Sequence, residues 1–416
     1  MLNWPTSVSD YKWPRTMTRV RQAPLRSIRA AVFHACHAAG RVVGFLRPNP
    51  PAVLAIRTDG VADAVLAEPM LQSLSRRFRG CEFHLWAPED ICQLLGAARY
   101  IQRRFIIPRG LKHGNFQLFR QTSLRAKLGY RLGRWNYQTV AYLCHSPEPL
   151  GNWLMASARA RQRWYVPGDT ANQYAAQRMA AGRAATSLFS RTDAIDLGRH
   201  DLTRNARVAG QWGDGIEHRL PHIELDESAA KFAAEQLDLW HGAMEWYGAT
   251  AMIGLMPAPS NSAGKYPPGA WAIALAELWR SHKIVCALLS TPDNGGAAYE
   301  IATRLGSLPH VRLNRPMDLL SLTALIGSLD GFLTVDAGLA QVAMAQDIPT
   351  VALVSGCNPG RYFPWPAPRR ATILYHPAAG ESRVSEFATQ IDPMEIVRAT
   401  TELMFPAMRA PLRMAS

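Results

Sequence analysis

Three stretches of this chain carry residue types whose spacing suits chemistry. The first is AIRTDGVAD, in which Asp63 falls at the first turn of an expected helix, just past an apolar strand. A carboxylate placed there could take a proton from a hydroxyl. It could equally be an ordinary first-turn acid that favours the helix N-terminus. The second is the run from Phe332 to Val335, broken by Asp336-Ala337-Gly338 and resumed at helical spacing from Leu339. A short strand opening into a helix through small residues leaves backbone N–H groups and the helix dipole available to a phosphate, although Asp336 could cap the helix instead. The third is the loop PAPSNSAGKYPPGAW, which carries Ser260 and Lys265. Taken alone, a lysine in a Ser/Pro-rich loop is a solvated side chain.

These residues need elements to hold them. Ala52–Ile56 and Glu82–Trp86 read as buried strands, and the spacing after Val61 predicts a helix to about Phe78 that Pro69 kinks or restarts. Thr139–Cys144 reads as another strand. After Leu220-Pro221 the alternation repeats. A helix runs from Asp226 to Trp240, strands cover Thr250–Met256 and Lys283–Leu289, and a short strand lies at Val311–Leu313. A helix at Asp318–Leu329 precedes the Phe332 strand, further strands follow at Thr350–Val354 and Thr372–Tyr375, and Asp392-Pro393 starts a last helix. Strand–helix alternation on both sides of the linker gives two doubly wound α/β halves. The expected division is 1–50 as a basic extension, 51–220, and 221–416. Residues 165–220 yield few elements.

A chain of 416 residues with 48% hydrophobic and 19% charged residues is globular, with room for two cores. Its net charge of +14 favours anionic partners. No Asp or Glu occurs from Ile91 to Pro147, where Arg120 is one of many basic residues with aromatics between them. No nucleic-acid motif accompanies that charge, so no nucleic-acid partner is expected. The six cysteines are scattered without a CxxC pair, which argues against a zinc site or a disulfide scaffold and fits a reducing cytosol. Within the first 50 residues Leu25, Ile28, Val32, Ala35 and Ala39 recur at helical spacing among arginines. This predicts either a basic amphipathic helix on an anionic bilayer or a helix packed on the first half with its arginines in solvent.

The loop after the Thr350 strand adds a further pattern, Gly356 followed by Pro359, Arg361, Tyr362 and Pro364. With the Asp336-Ala337-Gly338 turn and the opening stretch AIRTDGVADAVLAEPMLQSL, it resembles glycosyltransferase family 9, the lipopolysaccharide heptosyltransferases. The resemblance covers about 50–100 and most of 245–400. It implies the GT-B fold, two Rossmann-like doubly wound domains facing across a cleft. It also implies that Asp63 is the general base, that Arg57 serves the acceptor, and that Ser260, Lys265, Asp293, Asp336, Ala337, Gly338 and Leu339 bind the donor. Arg120, in the basic stretch, is expected on the acceptor side from the positive field there. Ala62 stands where the family has Gly, Ala337 replaces Ser or Thr, and Gln341 stands where His is common. The loop HSPEPLGNW departs from the family's acceptor loop, which points to a different acceptor.

The activity so implied is inverting, metal-independent transfer of a sugar, heptose from ADP-heptose, to a lipopolysaccharide or other surface glycan. The partners are then a nucleotide sugar and an anionic glycolipid or glycan, with no cofactor and no metal. The expected location is the cytoplasm, with peripheral contact at the cytoplasmic face of the inner membrane. Two alternatives stay open. One is a degenerate relative that binds a nucleotide sugar or glycan without transfer, motivated by Ala62, Ala337 and Gln341. The other is a protein-directed heptosyltransferase, whose relatives carry an iron-binding cysteine cluster that the scattered cysteines here do not resemble.

Overall fold

The computed structural model describes residues 19–107, 122–144, 147–166, 186–187, 200–216, 219–257, 266–290, 295–313, 317–335, 337–354, 360–366, 370–375 and 391–405. In chain order the elements are α1 (Arg19–Leu46), β1 (Ala52–Ile56), α2 (Val61–Arg77), β2 (Glu82–Pro88), α3 (Glu89–Leu94), β3 (Arg103–Ile107), α4 (Thr122–Arg134), β4 (Tyr137–Tyr142), α5 (Pro149–Ser157), β5 (Ala160–Tyr165), β6 (Thr186–Ser187) and α6 (Asp201–Gly210). They continue with α7 (Glu227–Tyr247), β7 (Ala251–Met256), α8 (Pro268–His282), β8 (Ile284–Leu288), α9 (Gly295–Leu305), β9 (His310–Arg312), α10 (Leu319–Ile326), β10 (Gly331–Thr334), α11 (Ala337–Ala345), β11 (Thr350–Leu353), β12 (Ala371–Leu374) and α12 (Pro393–Met404).

The strands form two six-stranded sheets, ordered β3-β2-β1-β4-β5-β6 and β12-β11-β10-β7-β8-β9, and every pairing among the described residues is parallel. Numbered from its own first strand, each sheet has the same order, 3-2-1-4-5-6. This is the dinucleotide-binding arrangement, in which the strand order reverses beside the first strand. The central strands AVLAI and AMIGLM are buried at every position, as parallel strands covered on both faces require. Helix starts follow local chemistry: Asp226, Asp318 and Asp392 each accept a backbone N–H of the first turn. The pleat and the caps together reproduce the expected alternation, and the fold is GT-B-like.

α4, α5 and Phe33 of α1 cover one face of the first sheet. α8, α9 and α12 cover the outer face of the second. The other two faces share one continuous apolar cluster through α2, α3, α6, α7, α10 and α11. The halves therefore meet along packed helices as well as at their loops, with α2 against α11 and α3 against α10.

Two expectations change. α2 runs unbroken through Pro69, and the Nδ2 of Asn205 on α6 donates to Leu66 O at 2.8 Å, within the turn that proline loosens. On α1, Ala35 and Ala39 of the stripe expected from sequence are exposed and Val32 is half-buried, while the side chains of Leu25 and Ile28 lie outside the described residues. Phe33 and Gly40 are buried, and Val42 and Leu46, further along the helix, are exposed.

Candidate functional site

β1 ends at Ile56 and the chain turns through Arg57-Thr58-Asp59-Gly60 into α2. This loop lies at the carboxyl edge of the first sheet, between β1 and β4, where the order reverses and ligands bind in such sheets. Arg57 is 3% exposed, with its guanidinium wholly inside the protein. It binds both carboxylate oxygens of Asp59 and donates to Leu143 O at 3.0 Å and to Asp63 O at 3.2 Å. Burial works against its charge, and Asp59, Cys144 and Asp63 together more than offset that. Arg57, expected at the acceptor, braces the loop that presents Asp63.

Asp63 is buried in the first turn of α2. Its Oδ2 accepts the Gly60 backbone N–H at 3.2 Å, so it does serve as a first-turn acid. Its Oδ1 faces the other half of the molecule. There Arg361 Nη2 forms an ion pair with it, and the Tyr362 hydroxyl donates to it at 3.3 Å. Arg361 also binds Asp201 through Nε at 3.2 Å, and its guanidinium lies 4.6 Å from the Tyr362 ring centroid. One arginine from the loop after β11 thus joins two acids of the N-terminal half, one at the start of α2 and one at the start of α6.

The loop that carries Arg361 is itself held on both sides. The Asp201 N–H donates to Arg361 O at 2.9 Å. His200 Nε2 donates to Tyr362 O at 2.9 Å, while its Nδ1 accepts the Leu202 N–H at 3.1 Å, which fixes one tautomer. Burial lowers the His200 pKa, and the bond to Tyr362 only partly opposes it, so the ring is neutral near pH 7. Burial also pushes Asp201 up to about 7 against the pull of Arg361. From the C-terminal half, Gln341 is fully buried. Its Nε2 donates to Tyr362 O at 3.0 Å, and its Oε1 accepts from Trp365 Nε1 at 2.5 Å. Gln341 therefore supports the Arg361–Trp365 loop.

On the donor side, β10 ends at Thr334 and α11 begins at Ala337, beside the order reversal between β7 and β10 of the second sheet. Gly338 and Leu339 form the first turn of α11, with Leu339 buried. Ser260, Lys265, Asp293, Asp336 and Arg120 lie outside the described residues, as does the side chain of Ala337. Among the described residues no three His, Cys, Asp or Glu side chains gather as metal ligands.

Sequence reasoning placed Asp63 and quoted Arg361 and Tyr362 without giving them a role. It missed His200 and Asp201, although a polar pair directly ahead of the amphipathic run LTRNARVAG is a helix-start signal.

Two doubly wound parallel sheets, with an acid at the first switch point gripped from the opposite half, define a GT-B-type protein. The chain belongs to glycosyltransferase family 9 (heptosyltransferase), whose sequence profile matches residues 174–387. Its fold is similar to that of the glycosyl transferase family 9 from Veillonella parvula, with a TM-score of 0.65 at 16% identity over 86% of this chain and 97% of that one. It is also similar to E. coli ADP-heptose lps heptosyltransferase II, with a TM-score of 0.60 at 18% identity over 86% and 99%. E. coli heptosyltransferase WaaC with ADP gives 0.59 at 15% identity over 85% and 99%. No curated protein sequence matches the chain.

Proposed function

We propose that the chain is an inverting, metal-independent sugar transferase, with ADP-heptose as donor and an anionic lipopolysaccharide or related surface glycan as acceptor. The observation that carries this reading is Asp63, held at the first switch point with its carboxylate oriented from both halves. In the reaction, Asp63 takes the proton of the acceptor hydroxyl as that oxygen attacks the anomeric carbon and the bond to the nucleoside diphosphate breaks. The negative charge that develops on the leaving diphosphate falls to Lys265, Ser260 and the helix start at Asp336–Leu339, with Asp293 on the ribose. Arg57 and Arg361 act on Asp63 as positioning residues, and Arg120 joins the acceptor side. Chemistry of this kind runs on side chains and a helix N-terminus without a cofactor. WaaC, with ADP, supports the choice of nucleotide. The chain then divides at Leu220–Pro221 into an acceptor half, 51–220, and a donor half, 221–416, working at the cytoplasmic face of the inner membrane.

A second reading has its own support. Both Asp63 oxygens are already bound by protein donors, as they are in a purely structural acid. In that case the chain binds a nucleotide sugar or glycan without transfer. Calorimetry against ADP, UDP, GDP and their sugars, with wild type and Lys265→Ala, separates the claims. Selective binding of ADP and ADP-heptose, lost in the variant, is the expected result. Binding of UDP or GDP instead overturns the heptose assignment, and binding without turnover favours the second reading.

A further inference from the structure

We infer that the pair formed by α1 and α4 is a docking surface for an anionic lipid bilayer, seated by the outward stripe of α1. This goes beyond the transferase reading and does not depend on it. The stripe consists of Val32, Ala35, Ala39, Val42 and Leu46, spaced three and four residues apart, with Phe45 beside its end. Such spacing puts them on one face of the helix. Most of that face lies in solvent: Ala35 and Ala39 are exposed, and Val42, Phe45 and Leu46 are 57%, 83% and 70% exposed. A helix packed on a water-soluble core turns such residues inward.

The inward face explains why these do not. Gly40 and Gly44 of α1 meet α4 backbone, and Gly129 and Gly133 of α4 meet α1 backbone. A Cβ on these glycines would lie 2.1 to 2.5 Å from a facing carbonyl oxygen, of Tyr130, Arg134, Phe33 and His37 respectively. Two G-x-x-x-G helices running in parallel are thus in backbone contact, and the bulky apolar residues of α1 are left on the outside. A backbone-to-backbone crossing of this kind takes up no bulky side chain at the contact.

Charge selects the occupant. α1 holds five arginines and α4 holds four basic residues, with no acid in either. Arg41, Arg47, Lys127 and Arg131 are exposed along the pair. A second copy docked through this stripe would set like charges against each other, whereas a bilayer of anionic lipids supplies both phosphate and hydrocarbon. Among the described residues no helix is long and apolar enough to cross a membrane. The helix therefore lies in the headgroup plane, its apolar face in the acyl boundary.

Co-sedimentation of the full chain with vesicles tests this without nucleotide or acceptor, so it can fail while the transferase reading stands, and the reverse. The probes are vesicles of phosphatidylcholine alone and with about 30% phosphatidylglycerol, a charge density adequate for attraction of basic segments. The expected result is partition onto the anionic vesicles, weakened by added salt and at least about tenfold weaker for Phe45→Glu/Leu46→Glu. Both side chains are exposed, so the variant is expected to melt like wild type. Equal partition of wild type and variant, or no partition of wild type, overturns the inference. So does a wild-type dimer in light scattering that the variant dissociates, since the stripe would then belong to a second copy.

Discussion

Removal of Arg361 should destabilise the whole molecule, because it is the only cation bonded to Asp63 through its side chain among the described residues, and it also pairs with Asp201, which Arg204 holds at 3.1 Å from the other side. All three side chains are nearly buried. In Arg361→Met the methylene stem is kept and the charge is lost, which leaves the Asp63 carboxylate buried without its cation, while Asp201 keeps Arg204. Breaking a buried pair by deleting one partner costs about 3–5 kcal/mol, against a total stability of roughly 5–15 kcal/mol for a typical domain. In Asp63→Asn the shape is kept and one of the two acids is removed, so Arg361→Met should cost less in that background. Urea denaturation followed by tryptophan fluorescence on the wild type, the two single variants and the double variant gives a cycle with an expected coupling of about 1–3 kcal/mol. Additivity within about 0.5 kcal/mol would show that the two halves are not joined at this point in solution.

Three further outcomes follow from the same contacts. Gln341→Ala removes the Oε1 acceptor of Trp365 Nε1 and takes one donor from Tyr362 O. Stability should fall by about 2–4 kcal/mol with ADP affinity unchanged, and loss of ADP binding in calorimetry would move Gln341 into the donor site. Glu68, buried on α2, is pushed up to about 7, chiefly by burial and against the His222 N–H bond, so the folded chain holds its proton over a window where the unfolded chain, with its ordinary value of 4.5, has lost it. Its contribution to stability is therefore complete below about 4.5 and is lost as the pH rises through 7, and Asp201 acts in the same direction. Thermal melts from pH 5 to pH 8 should show wild type losing about 2–3 kcal/mol more than Glu68→Gln, and equal slopes would contradict this. Gly133→Val would place a Cβ 2.1 Å from His37 O. It should undock α1 and raise amide exchange along residues 30–46, with the β1–β4 core still protected; unchanged exchange would deny the close crossing.

Much of the fold was legible because the central strands are buried on both faces and so read as plain apolar runs, AVLAI and AMIGLM among them. The strands that escaped, Arg103–Ile107 and Ala160–Tyr165, lie toward the edge of the first sheet and are only partly buried. Their arginines sit outside or along the sheet, which removes the apolar signal. α4 was hidden for a related reason, since TSLRAKLGYRLGR buries Leu128 and Leu132 and makes its closest contact through glycines. The expected stripe does lie on a helix, yet Ala35 and Ala39 face away from the core, because spacing reports a face and not its direction. At the site, Asp63 could be placed because its strand and helix are local. Asp201 and Arg361 are 160 residues apart in sequence, and only the closed fold brings Arg361 onto both Asp201 and Asp63.

Acceptor-dependent release of ADP from ADP-heptose, measured on wild type and Asp63→Asn with a glycolipid extract as acceptor, tests the proposed transfer most directly. Wild type should release ADP only when acceptor is present. Asp63→Asn should bind the donor as well but turn over about 10²–10⁴ times more slowly. Equal turnover in the two proteins would remove Asp63 from the chemistry and contradict the account.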